Sequence, residues 1–89
     1  MTLIQPNQYN TPCFVMYIDE NNIRTRIAMF GDLQEAYLFV KDAAGQPPWI
    51  LMPWEEVIQK MYKYHIEDGS GCDVSTNGRL AYVIYYDCD

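Results

Sequence analysis

From Cys13 to Phe30 the chain carries two short runs of apolar and β-branched residues, CFVMYID and IRTRIAMF, separated by the polar stretch Glu20-Asn21-Asn22. In the first run both alternating sets are apolar, Phe14, Met16 and Ile18 on one side and Val15 and Tyr17 on the other, which predicts an interior strand. In the second, Ile23, Thr25, Ile27 and Met29 share one side and Arg24 and Arg26 take the other, the period of two expected of a strand. The two runs with their polar turn predict a β-hairpin.

The period changes after Gly31. Asp32 followed by Glu35 forms a capping box, in which the aspartate accepts early orphan amides and the glutamate reaches back. Leu33, Ala36, Tyr37 and Val40 then fall at i, i+3, i+4 and i+7, the stripe of a helix that covers a sheet. That helix is predicted to end near Ala43, with Ala44-Gly45 as the stop and Gln46-Pro47-Pro48 as an extended link. Trp49 to Pro53 is apolar without a clear period, and Pro53 suits the first position of a second helix. Trp54, Val57, Ile58 and Met61, joined by Tyr62, form the buried stripe of that helix, and Glu55, Glu56, Lys60 and Lys63 face outward.

Asn77-Gly78 is the strongest turn signal of the chain and predicts a type I′ hairpin joining a short strand, Asp73 to Thr76, to a long one, Leu80 to Tyr86. Along the last strand Leu80, Tyr82, Ile84 and Tyr86 share one face, while Ala81, Val83 and Tyr85 share the other. The order ββααββ predicts an α+β fold: a small single domain over residues 1–89, with an antiparallel sheet and two helices packed on one of its faces.

Composition agrees with a folded domain. The 89 residues are 49% hydrophobic and 15% aromatic, enough for a core without a metal or disulfide staple. No basic segment leading into an apolar stretch opens the chain, and no apolar run approaches the roughly 20 residues of a membrane span, so a soluble protein is expected. Three cysteines, Cys13, Cys72 and Cys88, are an odd number without metal-ligand spacing. Reduced thiols and a cytoplasmic location follow.

Charge narrows the partners. Twelve acids against six bases give a net charge of −6. From Tyr64 onward there are five acids, Glu67, Asp68, Asp73, Asp87 and Asp89, and one base, Arg79, so this segment carries −4. Such a field repels phosphates and favours a basic partner, so direct nucleic-acid binding is not expected.

Candidate chemistry is sparse. The chain has one histidine, His65, and no HExxH, paired CxxC, P-loop, GxGxxG or GxSxG motif. Asp87 and Asp89, joined by Asp73 or Glu67, supply hard oxygens of the kind that bind Mg²⁺ or Ca²⁺. The simpler reading is an acidic chain end, with no metal and no cofactor. Cys13, between Pro12 and Phe14, reads as a small core residue, and His65 as a helix-end residue. Arg24 and Arg26, aided by Tyr17, resemble a phosphate contact, but ion pairing with Asp19, Glu20 or acids elsewhere is the preferred reading.

Tyrosines remain. Glu67, Asp68, Asp73, Asp87 and Asp89 beside Tyr82, Tyr85 and Tyr86 combine carboxylates with rigid amphipathic rings, the composition of a partner-binding surface. In size, acidity and fold type the chain resembles the small acidic phage proteins that block host defence, anti-CRISPR and anti-restriction proteins among them, many of which present carboxylates in place of phosphates. The resemblance implies a non-enzymatic inhibitor that occupies a basic nucleic-acid-binding surface of a larger protein. An immunity protein for a basic toxin nuclease uses the same electrostatics, and a small metal- or ligand-binding enzyme is the alternative from another class. The last strand has no proline or lysine guard, so a homodimer through it as an exposed edge is also compatible with the chain.

Overall fold

A computed structural model of the protein describes residues 11–67 and 71–87, of which 62–67 by their backbone alone. Its elements are β1 (Cys13–Ile18), β2 (Arg24–Phe30), α1 (Leu33–Ala44), β3 (Ile50–Leu51), α2 (Trp54–Glu67), β4 (Cys72–Asn77) and β5 (Leu80–Tyr86). The fold is α+β. Five strands form one sheet in the order β2-β1-β5-β4-β3, every neighbouring pair antiparallel, and both helices pack on the same face. No helix among the described residues is long and apolar enough to cross a membrane.

The local signals in the sequence act as chemistry requires. The Asp32 carboxylate accepts the Glu35 amide at 2.9 Å, capping α1. Glu35 reaches back to the Gly31 amide at 3.3 Å, one residue outside the usual capping-box partner. Leu33, Ala36, Tyr37 and Val40 are buried together with Val57 and Met61 of α2, against Cys13, Val15, Cys72, Val74 and Ile84 of the sheet. Each fully buried aliphatic side chain in this core contributes about 1.5–3 kcal/mol. α1 runs to Ala44, whose carbonyl accepts the buried Ser75 hydroxyl at 2.6 Å and so ties the helix end to β4.

Several expectations are corrected. Gln46-Pro47-Pro48 is a turn rather than an extended link: the Pro47–Pro48 peptide is cis and the Trp49 amide donates to the Gln46 carbonyl at 2.9 Å. Ile50–Leu51 forms an additional edge strand, pairing with Thr76 and Ser75. Pro53 stands just before α2, where its carbonyl accepts the Val57 amide. The second hairpin turns on Gly78-Arg79, because Asn77 already pairs with Leu80. Only Gly78 has positive φ there, +63°, as a II′ turn needs at its first central residue.

The face alternation of β2 is also broken. Val15 pairs with Ala28 and Met16 with Arg26, so Ile27 is a bulge. Past the bulge the alternation reverses, which places Met29 on the arginine side, opposite Phe14. The last strand is not an edge: β5 lies between β1 and β4, and the edges are β2 and β3.

Candidate functional site

Cross-strand register divides the side chains between two faces. Cys13, Val15 and Tyr17 of β1 stand opposite Tyr86, Ile84 and Tyr82 of β5, on the face that the helices cover. Phe14 and Met16 stand opposite Tyr85 and Val83 on the other face, where β2 adds Arg26 and Met29 and β4 adds Asp73. Among the described residues no helix packs on this second face.

A row of stacked groups crosses it. The Phe14 and Tyr85 rings are parallel to within 9°, with centroids 5.1 Å apart. The Arg26 guanidinium lies 4.0 Å from the Phe14 centroid, over the ring, in the geometry of a cation–π contact. On the opposite side Tyr85 closes against Gly71: a β-carbon at position 71 would meet Cε2 and Cζ of that ring at 2.7 Å. Arg24 completes the row by donating from Nη1 to the Tyr85 hydroxyl at 3.3 Å. The arginines thus contact aromatic groups, where the sequence reading favours ion pairs with Asp19, Glu20 or acids elsewhere. Their aromatic neighbours are Tyr85 for Arg24 and Phe14 for Arg26, since Tyr17 belongs to the helix-covered face.

The tyrosines expected to act together are separated by the sheet. Tyr85 is on the uncovered face. Tyr82 packs with Tyr17 at 5.1 Å and edge-on with Trp49 at 5.2 Å, and Tyr86 packs against the core, both on the helix side. Burial, with a smaller contribution from Tyr17, raises the Tyr82 phenol above its ordinary value, as expected of a half-buried packing residue. Asp73 is exposed on the face that no described helix covers, beside the buried Val83. Asp87 is exposed just past β5, its amide donating to the Pro12 carbonyl at 2.8 Å. Glu67 ends α2 in its backbone, and its side chain, Asp68 and Asp89 lie outside the described residues. Phe14 and Gly71 carry the stack with Tyr85. The signal for Phe14 is the doubly apolar first strand, while Gly71 had no signal beyond a loop composition.

Other chemistry finds little support in the described geometry. Cys13 and Cys72 are buried thiols, directed to the Thr11 carbonyl at 3.4 Å and the Met52 sulfur at 3.7 Å. Among the described residues no group of three or more His, Cys, Asp or Glu side chains is arranged to hold a metal ion. An open depression of about 470 Å³ lies between the two hairpin turns, lined by Asp19, Glu20, Asn21, Asn22 and Arg79. The Asp19 carboxylate there accepts the amides of Asn21 and Ile23, so it serves the turn.

No protein-family model matches the chain, and neither a curated protein nor a solved structure matches it.

Proposed function

We propose that the chain is a non-enzymatic, cytoplasmic protein-binding domain that acts as an inhibitor by occupying a surface of a larger protein, and that it docks through the uncovered face of its sheet. One observation carries the reading: the Arg26, Phe14, Tyr85 and Gly71 row is ordered by its own contacts before any partner arrives. Ordering rotamer-rich side chains on binding costs about 0.5–1.5 kcal/mol each, so a pre-stacked arginine and two rings lower that cost. Arginine and tyrosine are also the side chains that most often anchor interfaces.

The same geometry argues against a platform for nucleic-acid bases. A stacking platform needs a free ring face. Here Phe14 lies between Arg26 and Tyr85, and Tyr85 between Phe14 and Gly71, so the rings present edges. The net charge of −6 repels phosphates at long range and steers the domain toward a basic, nucleic-acid-binding surface. Contact then falls to a mixed set. Of the acidic residues expected to mimic phosphates, Asp73 is the one on the paired part of this face among the described residues, with β1 and β5 between it and Arg24 and Arg26 of β2.

The test is affinity capture of the partner with the wild type and with Tyr85→Ala and Arg26→Glu, each checked for an intact fold by circular dichroism. Capture of a nucleic-acid-binding protein that both variants lose supports the reading. Equal capture by all three, or no retained protein, overturns it.

A further inference from the structure

We infer that β2 is a docking edge for an extended acidic segment of the partner, which adds to the sheet as a sixth strand and sets carboxylates two residues apart against Arg24 and Arg26. The inference deepens the docking reading and rests on it for the existence of a protein partner.

β2 ends the sheet, so one side of its backbone has no strand neighbour among the described residues. It contains neither proline nor lysine, and its own edge guards, the Arg24 and Arg26 charges and the Ile27 bulge, restrict which strand can pair with it. Large apolar side chains stand exposed along it, Ile27 at 42% and Met29 at 48%, and Ile23 just before it at 58%. An edge of this kind offers main-chain hydrogen bonds to an incoming strand, and alternate side chains give the specificity.

The side chains select the incoming strand. Arg24 and Arg26 pair with Ile18 and Met16 and so project on one face, two residues apart, in the regular stretch before the Ile27 bulge. Carboxylates at i and i+2 of an added strand would stand directly opposite, where opposite charges stabilise and like charges destabilise. A second copy does not satisfy this requirement. A two-fold antiparallel pair centred on Thr25 sets Arg24 against the second copy's Arg26, and centring on either arginine sets it against itself. The arginines therefore discourage self-association through this edge and favour an acidic segment.

The probe is a short fluorescein-labelled peptide with Glu-Thr-Glu inside a Val/Thr-rich sequence, compared with the same peptide carrying Lys-Thr-Lys. Anisotropy titration of the intact protein at about 0.15 M salt, where the overall negative charge is screened, is expected to show the acidic peptide binding roughly tenfold more tightly, with the preference reversed by R24E/R26E. Amide shift changes are expected to centre on residues 23–27, whether or not Tyr85→Ala is present. Equal binding of the two peptides, acidic-peptide binding that survives R24E/R26E, or shift changes confined to β3 or the helices would overturn the inference. Because the peptide signal is read at the β2 amides of the isolated protein, loss of the edge proposal is distinguishable from loss of the face proposal, which is read by partner capture.

Discussion

Phe14 and Tyr85 stand opposite each other on the central β1–β5 pair, their rings 5.1 Å apart and within 9° of parallel on the face that no described helix covers. Aromatic pairs of this kind contribute about 0.5–1.5 kcal/mol beyond the area they bury. A double-mutant cycle with Phe14→Leu and Tyr85→Leu, measured by urea unfolding, is expected to return a coupling energy in that range. Tyr85→Phe keeps the ring and removes only the hydroxyl that accepts from exposed Arg24, so it is expected to leave stability within about 0.5 kcal/mol of wild type.

Gly71 is required by this stack. A β-carbon there would lie 2.7 Å from Cε2 and Cζ of Tyr85 and from Cγ1 of Val83. Gly71→Ala is expected to destabilise by about 1–3 kcal/mol, the usual cost of forcing atoms into a packed site. In a Tyr85→Ala background the ring contacts are gone, so the cost of Gly71→Ala should fall. An unchanged cost in the double variant would mean that the Val83 side chain, and not the ring, demands glycine at this position.

The helix cap offers a cleaner measurement because it is exposed and local. Asp32→Ala removes the acceptor of the Glu35 amide and is expected to cost about 0.5–2 kcal/mol, with Asp32→Ser recovering most of it. The check is the urea midpoint at constant m-value.

These residues also mark what the sequence could disclose. The cap at Asp32, the stripe from Leu33 to Val40 and the strand Leu80–Tyr86 depend on near neighbours in the chain, so their chemistry is legible from spacing. Bulges are different. Ile27 and Val74 fall out of the alternation only because strands distant in sequence are paired around them, and the Ile27 bulge brings Met29 to the arginine side. The two-residue β3 is too short to show a period. The same distinction governs the site. Tyr85 is legible as a face residue of the last strand, but its neighbours Phe14, Gly71 and Arg26 come together only through strand order and register.

Cys72 gives a prediction for the core as a whole. Its thiol is buried near Met52. Burial pushes it up from an ordinary value of 9.0 to about 11, with Lys60 opposing and Asp73 and Glu56 reinforcing the shift. The unfolded thiol loses its proton near the ordinary value, whereas the folded one holds it until about pH 11. Between those values the native state binds more protons, so stability is fully present below pH 9 and declines as pH rises through the window. A single group can add a slope of at most about 1.4 kcal/mol per pH unit. Cys72→Ala also leaves a small cavity, but that cost is the same at every pH, so the readout is the difference in slope between wild type and variant. Tyr37 and Tyr82, both raised from 10.0 chiefly by burial, add the same slope to each protein and cancel in the difference. Urea unfolding followed by tryptophan fluorescence at pH 8, 9 and 10 is expected to show wild type losing stability faster than Cys72→Ala above pH 9. Parallel curves would mean that the Cys72 thiol ionises in the folded protein as it does in the unfolded chain, and that the seam between α2 and β4 admits water.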